Sequence, residues 1–340
     1  MLLSKKLVRR KKIMISDKVN SVLGHEKEEA MLAKALVGGR VFPTWIFHGP
    51  WGIGKSKIAH KFAKCLLSET VPERDTLDIH PENPIHKLAD LKIHPDFFVL
   101  EQNNESVSID DSRKLMLKIL KSPTLSKRRV VIMENASDLN KNIHNSLLKM
   151  LEEPPKNTVI IMICNHIGAV PRTLLSRAAK VQFCSLETSR VREILDDMGV
   201  KNSERLAQLS NGSVGYALHL HENNGAEIYE NILKGFFYDG SLYVKISKYV
   251  IDNNLCRNFE IIKNSFLRIL KTYADALNNV ADENCQEEMK ILEPTVKNKQ
   301  NCIVGEIKKI QEIISMIELC EPMILDKNAV VANAFERFFS

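Results

Sequence analysis

The stretch GPWGIGKS, Gly49 to Ser56, matches the pattern G-x-x-x-x-G-K-S over its full length. Gly49, Gly52 and Gly54 permit a backbone curl that turns peptide N–H groups towards an anion, and the amino end of a following helix adds partial positive charge. Lys55 supplies a full charge for the outer phosphates, and the Ser56 hydroxyl is placed to ligate magnesium. With Pro50, Trp51 and Ile53 between them, these residues form a candidate binding loop for a nucleoside triphosphate. Further on, VVIMENAS (130–137) ends an apolar run with a carboxylate, Glu134, suited to the same magnesium ion. The next residue is Asn135, whose neutral amide cannot take the proton of an attacking water as a carboxylate base would. This set predicts a triphosphate held with magnesium through Lys55, Ser56 and Glu134, and hydrolysed slowly.

Strands and helices must bring these residues together. TWIFH (44–48), DFFVLE (96–101), RVVIME (129–134), TVIIMIC (158–164) and KVQFCS (180–185) read as strands, and several are apolar throughout, as strands covered on both faces are. Amphipathic stretches such as IDDSRKLMLKIL (109–120) and NIHNSLLKMLEE (142–153) lie between them, an alternation that predicts an α/β domain with a mostly parallel sheet. KIAHKFAKCLL reads as the helix that the phosphate loop opens. Beyond about residue 187 the chain is all-α: Phe259, Ile262, Phe266, Ile269, Tyr273 and Leu277 recur at three- and four-residue intervals, as do Ile307, Ile310, Ile314 and Ile317. The expected division is a basic, disordered tail over 1–17, a P-loop domain over 18–186, a small helical unit over 187–222 and a helical domain over 223–340. Residues 278–300, rich in Asn, Glu and Lys, read as a long connection.

Composition excludes other classes. The 340 residues are 44% hydrophobic and 26% charged, ordinary for a globular protein, with no apolar run near the roughly 18 residues that a membrane span needs. Seven cysteines without paired spacing read as buried free thiols of a reducing cytoplasm. The net charge of +6 sits entirely in Lys5, Lys6, Arg9, Arg10, Lys11 and Lys12; the rest of the chain carries 42 basic and 42 acidic residues and offers no basic stripe for nucleic acid. The tail lacks the apolar core of a secretory signal and reads as a solvated leader.

Several blocks occur in a recognisable order: VLGHEKEEAMLAKAL (22–36), the phosphate loop, HPDFF (94–98), IDDSRKL (109–115), NSLLKMLEEPP (145–155), LLSRA (174–178) and ILDKNAVVANAF (324–335). In these the chain resembles the delta-prime family of subunits of the bacterial DNA polymerase III clamp loader, within the AAA+ superfamily. The resemblance implies a RecA-like AAA+ P-loop domain, a small helical lid and a C-terminal helical collar that joins a five-subunit ring with gamma/tau and delta type partners. It implies a component of the polymerase holoenzyme without a polymerase site of its own, acting in the cytoplasm through ATP with magnesium. In that family the ring places the sliding clamp on primed DNA, and the delta-prime subunit acts as a stator. Arg177 matches the arginine of the family's Ser-Arg-Cys motif, which reaches the ATP site of a neighbouring subunit; Ser176 precedes it and Ala178 replaces the cysteine. A guanidinium suits that role because it is always charged and presents a rigid fork to developing phosphoryl charge.

Departures from the pattern separate family members. Gamma-type subunits carry a four-cysteine zinc site after the phosphate loop, whereas this chain has only Cys65 in that interval, so no zinc site is expected. His80, His86 and His94 in the same region read as solvated or capping residues rather than ligands. GSVGYAL (212–218) resembles the family's second sensor, with Gly215 where a gamma-type arginine would contact phosphate, and Cys164 and Asn165 lie near the family's first sensor, which implies that Asn165 positions a water or phosphate. The alternative readings are a gamma/tau-like ATPase that works in its own site and an unrelated P-loop module.

Overall fold

A computed structural model describes residues 24–70, 72, 75–77, 82–100, 119, 121–134, 155–238 and 259–277, together with positions 285, 288, 308, 311, 314 and 315. The expectations for the basic tail, IDDSRKL, Asn135, the NSLLKMLEE portion of its block, Ile307, Ile310, Ile317 and ILDKNAVVANAF lie outside the described residues.

Helix α1 (Glu26–Val37) opens with Glu26, Glu28 and Glu29 in its first turn, where carboxylates favour the positive end of the helix. Strand β1 (Thr44–His48) leads through the phosphate loop into α2 (Lys55–Ser68), and a short α3 (Pro84–Asp90) starts on Asn83, whose side chain accepts from the Ile85 N–H. Strands β2 (Phe97–Leu100), β3 (Arg129–Met133) and β4 (Thr158–Cys164) follow, then the short α4 (Arg172–Leu175) and β5 (Ala179–Gln182). All five strands pair in parallel in the order β2-β3-β4-β1-β5, with Ile46 beside Met162 and Lys180.

The apolar strand sequences follow from burial on both faces. Trp45, Phe47, Val130, Ile132, Val159 and Ile161 join Ile58, Phe62 and Leu66 of α2 in one core layer, while Ile46, Val131, Met133, Ile160 and Met162 fill the other. Alternate residues thus serve opposite faces, as the two-residue period of a strand requires. β5 ends earlier than KVQFCS suggested: Phe183 donates its N–H to the His48 carbonyl and turns its ring onto Phe47 and His25, while Cys184 is exposed.

A buried ion pair closes the amino-terminal edge of the sheet. Arg129 lies 3.2 Å from Asp96 and donates to the carbonyls of Ile119, Lys121 and Ser122. Asp96 accepts the N–H groups of Thr124, Leu125 and Ser126. Burial works against its charge, yet these N–H donors and Arg129 hold its carboxyl below the ordinary value.

The second half is helical: α5 (Thr188–Asp197), α6 (Ser203–Leu209), α7 (Val214–Glu222), α8 (Gly225–Tyr238) and α9 (Phe259–Leu277). The chain falls into two compact units. Residues up to Gly199, with Gly212–Gly215, belong to the sheet unit, and Val200–Asn211 with everything from Tyr216 to a second unit. α5 therefore goes with the sheet. In the second unit Ile262, Phe266 and Ile269 of α9 are buried, and Arg268 lies among them, bonded to Glu288 and to the Gln208 carbonyl. Glu288 also accepts from the Tyr229 hydroxyl. No helix among the described residues is long and apolar enough to cross a membrane.

Candidate functional site

The phosphate loop leaves the carboxyl end of β1, the edge of a parallel sheet where ligands gather. Gly49, Gly52 and Gly54 all have positive φ, at 148°, 76° and 108°, so the curl is one that only glycine adopts without strain. Sterics reinforce the requirement at Gly49, where a Cβ would stand 2.1 Å from the Phe183 carbonyl oxygen. Gly54 caps α2, and Lys55 and Ser56 form its first turn.

Lys55 is only 5% exposed. Its Nζ donates to the carbonyls of Gly49 and Pro50, both at 2.6 Å, and to Asn165 Oδ1 at 3.2 Å. Burial pushes its ammonium down to about 8, against a smaller opposing influence of Cys164. Those three acceptors share the donors that an incoming phosphate would take. Asn165, at the end of β4, is thereby brought to the loop.

Ser56 Oγ donates to Glu134 Oε1 at 2.5 Å. Glu134 follows β3, and its N–H bonds the Leu100 carbonyl. His60 Nε2 lies 3.7 Å from the same Oε1. Its contact holds the Glu134 carboxyl below the ordinary value, against the effect of burial and with help from Ser56. Two oxygen donors from different elements therefore converge beside the loop, a set that fits a hard divalent cation such as magnesium. Bound there, the ion would neutralise phosphate charge; Ser56 and Glu134 would hold it, and His60 would compete for the carboxylate. Trp51 and Pro50 are exposed at the rim, whereas Ile53 is buried.

Arg177 lies elsewhere. It follows α4 in an exposed turn, where its N–H bonds the Leu174 carbonyl and Ser176 Oγ bonds Thr173. Two residues later β5 begins, with Ala179 beside Trp45 and Gln182 beside His48. Arg177 is therefore at the amino-terminal edge of the sheet and the phosphate loop is at the carboxyl edge. At about 3.3 Å per residue the separation is on the order of 15–20 Å. The chain's own site is beyond its reach.

Three contacts with the loop were not singled out in the sequence. His25 Nε2 donates to the Ile53 carbonyl at 2.7 Å, Ser213 Oγ to the Trp51 carbonyl at 2.9 Å, and the Gly215 N–H to the Gly52 carbonyl at 2.8 Å. His25 lies in the VLGHEKEE block and the other two in GSVGYAL, blocks noted for resemblance rather than for these groups. His86 and His94 are buried rather than solvated: His86 contacts Ser68 and His94 accepts from the Asp96 N–H.

A parallel five-stranded sheet with a glycine loop on its inner strand β1, a lysine and serine opening the next helix, and a carboxylate after β3 defines a RecA-like P-loop domain of the AAA+ type. The family model described as DNA polymerase III, delta subunit, matches residues 24–187. The DNA polymerase III subunit delta' of Pseudomonas aeruginosa is 30% identical over 208 residues, 58% of this chain and 62% of that protein, so the chain spans less than two thirds of it. The gamma subunit of Buchnera aphidicola (strain Bp) is 25% identical over 74% of each chain. The tau subunit of Escherichia coli is 26% identical over 58% of this chain and 32% of its own length. Over residues 24–187 the chain is thus similar to subunits of DNA polymerase III.

Proposed function

We propose that this protein is a delta-prime type subunit of the clamp loader, supporting ATP-dependent placement of the sliding clamp on primed DNA in the cytoplasm. Its partners are gamma/tau and delta type subunits in a five-membered ring. It binds ATP with magnesium through residues 49–56 and Glu134, turns it over slowly, and lends Arg177 to a neighbour's site. The observation that carries the reading is the position of Arg177, exposed at the edge of the sheet opposite its own phosphate loop. A guanidinium there is out of reach of its own phosphate loop and on a surface open to a neighbouring molecule, and the similarity to subunit delta' suggests the kind of partner.

The convergence of Ser56 and Glu134 favours a second reading, a gamma-like ATPase active in its own site, and the 25% identity to a gamma subunit accords with it. Mixing the chain with gamma and delta type subunits, clamp and primed DNA separates the two. A finger supplied in trans is worth on the order of a thousandfold at one site, diluted where several sites fire. Arg177→Ala is expected to cut the ring's ATPase sharply, Arg177→Lys to restore it only in part, and Lys55→Ala to cost much less. If Lys55→Ala costs more than Arg177→Ala, the stator reading is wrong.

A further inference from the structure

Every carbonyl from Gly49 to Gly54 has a hydrogen-bond donor, and three of those donors come from distant segments. Lys55 takes Gly49 and Pro50, and the Ile58 N–H takes Gly54 within the opening of α2. Ser213 takes Trp51, the Gly215 N–H takes Gly52, and His25 takes Ile53. A carbonyl only accepts, so His25 carries its proton on Nε2.

The consequence is geometric. A trans peptide unit is planar, and its N–H points opposite to its C=O. Fixing the carbonyls of Trp51, Gly52 and Ile53 towards Ser213, Gly215 and His25 turns the N–H groups of Gly52, Ile53 and Gly54 to the other side of the loop. Those N–H groups are the phosphate donors of the motif. The segment that does this is itself held without slack. The Gly212 carbonyl accepts from the Leu186 N–H, and a Cβ on Gly212 would lie 2.3 Å from the Leu186 carbonyl oxygen. A Cβ on Gly215 would lie 2.7 Å from Gly52 Cα, so this glycine is what lets the segment reach the loop. His25 is 1% exposed and packs edge-on against Phe183, which fixes the ring.

We propose that His25, Ser213 and Gly215 are positioning residues that hold the loop's N–H groups in the orientation for a nucleotide's phosphates before the nucleotide arrives. They act through the backbone of residues 51–54. Gly215 therefore has its own role where a phosphate-contacting arginine would otherwise stand: it brings a peptide N–H where a side chain cannot fit. The proposal rests on the reading that the loop binds a triphosphate, and its test has an arm that does not depend on that reading.

Trp51 is 46% exposed in the loop and the only other tryptophan, Trp45, is 2% exposed, so acrylamide quenching of the full chain reports on Trp51. Ser213→Ala is expected to raise the quenching constant in the absence of ligand and to weaken binding of labelled ATP about three- to tenfold, the worth of one neutral hydrogen bond. Gly215→Ala is expected to do both more strongly. His25→Gln keeps an N–H donor and is expected to stay near wild type, whereas His25→Leu is expected to behave like Ser213→Ala. The melting temperature of Ser213→Ala stays close to wild type, which separates loop order from global stability. Unchanged quenching in Ser213→Ala and Gly215→Ala overturns the inference whether or not ATP binds. Altered quenching in a wild-type background that does not bind ATP leaves the brace standing as a property of the loop and refutes the nucleotide reading instead.

Discussion

Lys55 gives the phosphate loop a titration that an ordinary lysine would not show. Burial brings its ammonium down to about 8 from a usual value of 10.5. Only the ammonium pairs with phosphate, and a bound triphosphate favours that form, so the observed association constant follows the protonated fraction of the free protein. With a value of about 8, that fraction is roughly nine-tenths at pH 7 and one-tenth at pH 9, and ATP affinity is expected to fall about tenfold across the interval. A lysine near 10.5 would lose less than about a tenth of its affinity over the same range. The sign for stability is the reverse. The folded value lies below the unfolded one, so the buried charge costs the ligand-free protein stability at pH 7. That cost, on the order of 3 kcal/mol, fades as pH rises from about 8 towards 10.5. Titration calorimetry between pH 6.5 and 9.5 in buffers of different ionisation enthalpy measures both the affinity and the proton taken up. Lys55→Arg stays charged throughout and is expected to bind with no slope between pH 7 and 9. A flat wild-type profile, or the same slope in Lys55→Arg, refutes the reasoning.

Other perturbations follow from single contacts. Asp96→Ala leaves Arg129 buried without its counter-charge and three N–H groups without their acceptor, so a loss of about 3–5 kcal/mol is expected in urea unfolding. The contribution of Asp96 itself persists above its unfolded value and disappears in acid, as pH falls through a folded value below 3.8. Gly49→Ala brings a Cβ to 2.1 Å from the Phe183 carbonyl in a glycine-only backbone region; it is expected to abolish ATP binding in an equilibrium titration and to cost about 1–3 kcal/mol in strain. Glu288→Ala removes the shared acceptor of Tyr229 and Arg268, and a drop in melting temperature of the full chain with ATP binding unchanged is expected.

Much of the architecture was legible in the chain because it is local. The runs TWIFH and TVIIMIC coincide with β1 and β4, and RVVIME runs one residue past β3, since a strand covered on both faces needs apolar residues at most positions and few other structures do. The face running through Ile262, Phe266 and Ile269 marked α9 for the same kind of reason, a helical period with one buried side. The loop's glycines, Lys55 and Ser56 were readable because the motif is contiguous and each residue type has one physical task there. Tertiary structure decided the rest. His25 and Ile53 are 28 residues apart and Ser213 and Trp51 are 162 apart, and no short-range spacing encodes a hydroxyl or a backbone N–H meeting a particular carbonyl across such distances. Gly215 in particular reads in the sequence as a lost arginine, yet in the fold its N–H bonds the Gly52 carbonyl and a Cβ there would collide with Gly52. The placement of Arg177 away from its own phosphate loop likewise depends on strand register, which exists only once β5 has paired with β1.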